Sequence, residues 1–154
     1  MKQVIVVCTG NICRSPMAEG LLAHYLPENL RSTIDVTSAG TNALQGYPAQ
    51  DHAVETMSLI GVDISRHRAR QLTKEMACSA DLILAMEMGH LWYIQRWEEI
   101  QQDRIHLLLE FDPNTSSRQV ADPYGGPLSA YQTCLETLQP AIEGVVNTLH
   151  SVAQ

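Results

Sequence analysis

The chain has 154 residues and a formal net charge of −7, with 45% hydrophobic and 18% charged residues, the make-up of a soluble globular domain large enough to build a core. The acidic balance argues against a nucleic-acid partner, which asks for a basic face, and no apolar stretch approaches the roughly 20 residues of a membrane helix. Four cysteines, Cys8, Cys13, Cys78 and Cys134, form no CxxC pair and are too few for a disulfide scaffold, so the expectation is one domain, residues 1–154, in the reducing cytoplasm.

In chain order, Gln3–Val7 is a short continuous β-branched run and predicts a buried strand. Gly10, Asn11 and Arg14 break the apolar stretch too early for a signal peptide. Pro16 suits the first turn of a helix whose apolar face is Met17, Leu21, Leu22 and Tyr25 and which Pro27 stops. Ile34–Ser38 predicts a second strand, and Gln50–Ile60 a helix closed by Gly61. A short helix over Leu72–Ala77 precedes a third strand, Leu82–Met86, then a helix over Met88–Ile100 and a fourth strand, Ile105–Leu109. The last element is a helix over Leu128–His150, where Pro140 predicts a kink or a split. Strands apolar on both faces alternate with helices, so the expected class is α/β, a parallel sheet with helices on both faces. The longest irregular segment is Phe111–Pro127.

The chemistry gathers in Cys8-Thr9-Gly10-Asn11-Ile12-Cys13-Arg14-Ser15-Pro16, between the first strand and the first helix. Ligands of parallel α/β folds bind beyond the carboxyl ends of the strands, and a helix N-terminus offers free N–H groups and partial positive charge. Gly10 and Asn11 are residue types that tolerate the left-handed backbone of an anion nest, and Arg14 adds a bidentate fork. The pattern is not an ATP cradle, because neither GxxxxGK[ST] nor GxGxxG is present. At the base of the loop, the helix dipole, the loop N–H groups and Arg14 all favour the thiolate of Cys8, and Ser15 can donate to the sulfur. The arrangement points to thiolate attack on a tetrahedral oxyanion, that is, phosphoryl transfer through a phosphocysteine.

This loop resembles the C-x5-R-[ST]-P loop of the low-molecular-weight protein tyrosine phosphatases. The likeness continues in order through Ser38-Ala39-Gly40-Thr41, Ser65-Arg66-His67-Arg68-Ala69-Arg70, Ala80-Asp81-Leu82-Ile83-Leu84 and Asp122-Pro123-Tyr124-Gly125, with wording closest to bacterial members. The resemblance implies a four-stranded parallel sheet and no cofactor. It makes Cys8 the nucleophile, Arg14 the phosphate clamp and Asp122 the general acid and base. Thr9, Gly10, Asn11, Ile12, Cys13 and Ser15 would surround the substrate, with Leu44 and Tyr124 walling the pocket mouth. Asn11, Ser15, Ser38 and His67 resemble the network that supports the loop. The implied substrates are phosphotyrosine proteins, including a bacterial tyrosine autokinase.

Other residues read more plainly. Asp112 also precedes proline, but Asp112-Pro113-Asn114 is a turn signal. The six histidines, His24, His52, His67, His90, His106 and His150, show no metal-ligand spacing, so no metal site is expected. Trp92, Tyr93 and Trp97 at helical spacing read as partly buried core rather than a partner face, and Cys78 and Cys134 as inert core thiols. Three rivals share the loop. A thioredoxin-coupled arsenate reductase needs relay cysteines after the third strand, where Glu87-Met88-Gly89-His90 has none. A protein arginine phosphatase carries Thr where this chain has Ile12. A phosphate-binding scaffold would lack a catalytic group, and none is missing.

Overall fold

The computed structural model describes residues 1–153; Gln154, the last residue of the expected domain, lies outside the described residues. Four strands, β1 (Lys2–Cys8), β2 (Ile34–Gly40), β3 (Leu82–Ala85) and β4 (Ile105–Leu107), form one sheet in the order β2-β1-β3-β4. Every pairing is parallel, with Cys8 opposite Gly40 and Val7 opposite Ala85.

β1 is apolar on both faces because both are covered. Val4 and Val6 join a cluster with Met17, Leu21 and Leu22 of α1 (Arg14–Tyr25), Ala53 and Met57 of α3 (Asp51–Ser58), and Leu138, Ile142 and Val145 of α6 (Leu128–Ala153). Ile5 and Val7 turn the other way, onto Ala77 of α4 (Lys74–Ser79) and Leu91 and Ile94 of α5 (Met88–Gln95). Period-two alternation inside a uniformly apolar strand thus sorts its residues between two half-cores. A short α2 (Glu28–Arg31), absent from the sequence reading, links α1 to β2.

Several boundaries differ from expectation for local reasons. α4 starts two residues late because the Thr73 side chain accepts the Met76 N–H, making Thr73 the N-cap. Cys78 then falls on the exposed side of this helix, which corrects its reading as a core thiol; Cys134 is buried as expected. α5 stops at Gln95, and β4 ends at Leu107, where a 3₁₀ turn over Leu108–Phe111 replaces its predicted last residues. Pro140 does not split α6, which runs unbroken over Leu128–Ala153. Pro140 and Glu136, whose carbonyl loses its intrahelical partner, both lie on the exposed face, where water can meet that oxygen. Tyr93 and Trp97 flank the second half-core and meet edge to face at 5.4 Å, whereas Trp92 is 63% exposed, contrary to its reading as partly buried. No described helix is long and apolar enough to cross a membrane.

Two glycines permit close approaches that position the site. A Cβ on Gly40, at the end of β2, would collide with the Thr9 carbonyl oxygen. A Cβ on Gly144 would run into the Phe111 carbonyl, so this glycine lets the start of the 111–127 segment lie against α6.

Candidate active site

The loop after β1 is shaped by what its carbonyls do. The Cys8 carbonyl accepts the Thr41 N–H, Thr9 accepts Asn42, Gly10 accepts Leu44 and Ile12 accepts Gln50, all between 2.9 and 3.1 Å. The Asn11 carbonyl takes the His67 Nε2 proton at 2.6 Å, and Cys13 accepts Met17 as α1 begins. Every carbonyl from Cys8 to Cys13 is therefore drawn outward. A trans peptide sets N–H opposite C=O, so the amides face the other side; among the described residues, none from Gly10 to Ser15 donates to a protein carbonyl. Asn11 alone supplies the left-handed residue, with φ of 59°; Gly10, expected to share that role, has no positive φ.

Behind the loop, the Asn11 side chain is locked. Its Oδ1 accepts the Arg70 N–H at 2.9 Å, which settles the amide orientation and leaves Nδ2 to donate to Ser15 Oγ at 2.8 Å and Ser38 Oγ at 2.9 Å. Ser38 passes its proton to Glu19 at 2.6 Å. Ser15, already accepting from Asn11, sits 2.9 Å from the Cys8 sulfur and donates to it when that sulfur is a thiolate. Asn11, Ser15, Ser38 and His67 are thus brought together as the resemblance implied, and Glu19 and Arg70 extend the set.

Arg14 is 2% exposed although charged, and its partners explain why. Nη1 donates to Glu87 Oε1 at 2.7 Å and to the Val120 carbonyl at 2.8 Å, and Nη2 lies 3.6 Å from Asp122 Oδ2. Nε and Nη2 remain for an anion. Asp122 is exposed on its loop, where Oδ1 accepts the Tyr124 N–H at 3.1 Å. Asp112 makes the equivalent turn with Asn114 and lies outside the cleft, as its turn reading anticipated.

A cleft of about 260 Å³ opens over the sulfur. Cys8, Thr9, Gly10, Cys13 and Arg14 form its base, Ile12, Leu44 and Tyr124 give it apolar walls, and Asp122 stands at its rim. A larger groove of about 550 Å³ lies beside Glu19, Arg66 and His67, but it does not reach Cys8. Cys13 is buried in the same loop, with its sulfur 3.4 Å from the Tyr131 hydroxyl; burial pushes its thiol up to about 11. Burial likewise pushes Cys134 up to about 12 and raises Tyr131 above the usual phenol range. Among the described residues, no three His, Cys, Asp or Glu side chains group as a metal would require.

The family model for low molecular weight phosphotyrosine protein phosphatases matches residues 3–154. The chain belongs to this family. The phosphatase is 40% identical to a probable low molecular weight protein-tyrosine-phosphatase EpsP of Ralstonia nicotianae, over 99% of each chain. Its fold superposes on the Erwinia amylovora tyrosine phosphatase AmsI with a TM-score of 0.84 at 34% identity, covering 96% of this chain and 92% of that one. It superposes equally well on the YwlE arginine phosphatase of Geobacillus stearothermophilus, at 0.85 and 35% identity over 98% and 94%.

Sequence reasoning missed several residues of the phosphatase site. Glu87 and His90 open α5 as a reciprocal cap: the Glu87 side chain accepts the His90 N–H, and the Glu87 N–H donates to His90 Nδ1 at 3.1 Å. Glu87 and His90 do not match the usual Ser/Thr-x-x-Glu/Gln capping pattern, and nothing in the local sequence reveals that Glu87 also meets Arg14. Val120 enters through its backbone, which no sequence pattern announces.

Proposed function

We propose that this phosphatase hydrolyses phosphotyrosine in proteins, with Cys8 as nucleophile, Arg14 as oxyanion clamp and Asp122 as proton donor and acceptor. The observation that carries the reading is the outward turn of every carbonyl from Cys8 to Cys13, which leaves the amides and the free Arg14 donors to an oxyanion over the sulfur. The Cys8 thiolate attacks phosphorus, the bond from phosphorus to the phenolic oxygen breaks, and Asp122 delivers a proton to that oxygen. Water then attacks the phosphocysteine, gives its proton to Asp122 and releases phosphate and the Cys8 thiolate. Preorganised N–H groups and Arg14 hold the equatorial oxygens throughout, so no reorganisation accompanies the charge migration.

The apolar walls favour an aromatic leaving group. Ile12, Leu44 and the ring of Tyr124 offer a surface for an aryl group to pack on and, apart from Asp122 and the Tyr124 hydroxyl, little to accept from a guanidinium, most of whose N–H groups would lose water without replacement. Phosphotyrosine is therefore preferred here over phosphoarginine, although a relative of similar identity is named a protein-arginine-phosphatase. We read the chain as one phosphatase domain of the cytoplasm acting on phosphotyrosine proteins such as a bacterial tyrosine autokinase; its described cysteines are all free thiols. Cys13 beside Cys8 supports a protective disulfide after peroxide converts Cys8 to the sulfenic acid, with loss of water as the S–S bond forms.

The test is kcat/KM on phosphotyrosine and phosphoarginine versions of one peptide. We expect at least about tenfold preference for phosphotyrosine; comparable efficiencies overturn the substrate assignment. Failure to hydrolyse any aryl phosphate with Cys8 shown reduced overturns the enzymatic reading in favour of a phosphate-binding module.

A further inference from the structure

The loop that carries Cys8 is tied at both ends to the first turn of α5. His90, 3% exposed, accepts the Glu87 N–H at Nδ1, so the ring proton sits on Nε2 and is donated to the Thr9 hydroxyl at 2.9 Å. Glu87 takes the His90 backbone N–H with its side chain and the Arg14 guanidinium at 2.7 Å. Burial, then the Arg14 charge, pulls His90 down to about 4 against the opposing pull of Glu87 and Asp122, so this donor pattern holds near neutral pH. Thr9 and Arg14 lie at opposite ends of the loop, and Glu87 and His90 stand three residues apart at the start of one helix.

We propose that His90 is a positioning residue of the oxyanion loop, fixing Thr9 and, through Glu87, Arg14 relative to one another. The inference rests on the reading of Cys8 and Arg14 given above. The Asn11, Ser15, Ser38 and His67 network braces the middle of the loop. His90 braces its ends. Without the Nε2 bond, the Thr9 hydroxyl is left to exchange its partner for water, and the Thr9 end of the loop is no longer fixed relative to the Glu87 turn that holds Arg14. The loop N–H groups and the Arg14 donors then no longer converge in one arrangement, and oxyanion binding weakens.

Amide variants separate the two halves of the ring. Asn places an acceptor where Nδ1 stands and keeps the cap; Gln places a donor where Nε2 stands and keeps the Thr9 bond. The readout is alkylation of Cys8 by iodoacetamide and its protection by inorganic phosphate, neither of which needs turnover, with melting temperature measured alongside. His90→Asn and Thr9→Val should each weaken phosphate protection by about tenfold, the double variant by no more than either alone, and His90→Gln should stay within about threefold of the parent. Unchanged protection in both single variants, or a multiplicative loss in the double, overturns the proposal. So does a lowered melting temperature with parental protection, the mark of a merely structural histidine. If His90→Asn does not fold, Thr9→Val decides by the same criterion. A parent without aryl phosphatase activity that shows this pattern fails the functional reading alone; an active parent that lacks it fails this inference alone.

Discussion

The two segments that meet over the sulfur are held in opposite ways. In Cys8–Ser15, all but Thr9 and Gly10 are buried, every carbonyl from Cys8 to Cys13 is spoken for, and side chains brace the loop from behind and from α5. In Phe111–Pro127, only Val120 and Pro123 are buried. Its main anchors are the Val120 N–H on the Met86 carbonyl, the Gln119 side chain on the Met88 N–H, and Arg14 on the Val120 carbonyl. A phosphoryl group has one shape, and binding it through fixed dipoles rewards rigidity. A leaving group sits on a variable protein surface, and a proton donor on a weakly fastened loop can adapt to it. The segments are nonetheless joined, because Arg14, the proposed oxyanion clamp, also holds the carbonyl two positions before Asp122.

The largest effect should come from the rigid side. Cys8→Ser should lower turnover by roughly 10³-fold or more, since a serine hydroxyl does not ionise near neutral pH, yet keep phosphate binding, seen as a phosphate-dependent rise in melting temperature. A variant keeping a tenth of the parental rate would remove the phosphocysteine.

Asp122→Ala tests the loose side. It should slow phenyl phosphate hydrolysis by about 10²–10⁴-fold and para-nitrophenyl phosphate far less, because nitrophenolate leaves without a proton. Single-turnover rates across aryl phosphates of graded leaving group measure this. A slope equal to the parental one would exclude Asp122 as the acid.

Arg14→Ala probes the junction. Sequence alone suggests a clamp blind to the leaving group, but the bond to Val120 and the 3.6 Å approach to Asp122 couple them. We expect a loss of about 10²–10³-fold on para-nitrophenyl phosphate and a larger one on phenyl phosphate. Equal losses on both would show that the segments act independently.

Acid should strike through the braces of the rigid loop. His90 is held neutral down to about 4 in the fold, whereas an unfolded chain takes up its proton below about 6.5. Its contribution is complete above pH 6.5, is lost as pH falls from 6.5 to 4, and changes no further below that. The loss is about 3 kcal/mol in wild type and should be missing from His90→Gln, which urea titrations at pH 7.5 and 4 would read as a difference of differences. Parallel stability losses in both proteins would detach the acid response from His90. The smallest effect belongs to Asp112→Ala. An exposed turn residue outside the cleft should change either aryl phosphate rate by no more than about twofold, and a loss comparable to that of Asp122→Ala would exchange the two assignments.

Legibility in the sequence followed the range of the interaction. β1, the loop and α1 are contiguous, so a β-branched run, a cysteine, an arginine six residues beyond it and a helix-opening proline were enough to see them. The branched run also announced burial on both faces. What was illegible needed partners far along the chain. Glu87 lies 73 residues from Arg14, and Tyr131 lies 118 from Cys13. Gly10 looked as fit for the left-handed position as Asn11, and only the clamp of Arg70 and His67 around Asn11 decided which residue would take it. Cys78 read as core because a free cysteine is usually a buried small hydrophobe; that α4 reaches Ser79 and presents Cys78 to solvent is set by how the helix packs, not by its residue type.

The chain by itself determined the parallel α/β class, the oxyanion loop and its thiol, because strand burial, helix entry and anion binding at a helix N-terminus depend on residues that are neighbours in sequence. Tertiary structure alone decided that Pro140 would sit inside an unbroken helix, that Arg14 would reach both the Val120 carbonyl and Asp122, and that His90 and Glu87 of one helix start would meet Thr9 and Arg14. Each of these turns on which face of a distant element a backbone carbonyl or side chain meets, and a linear pattern carries no information about that until the sheet order has been set.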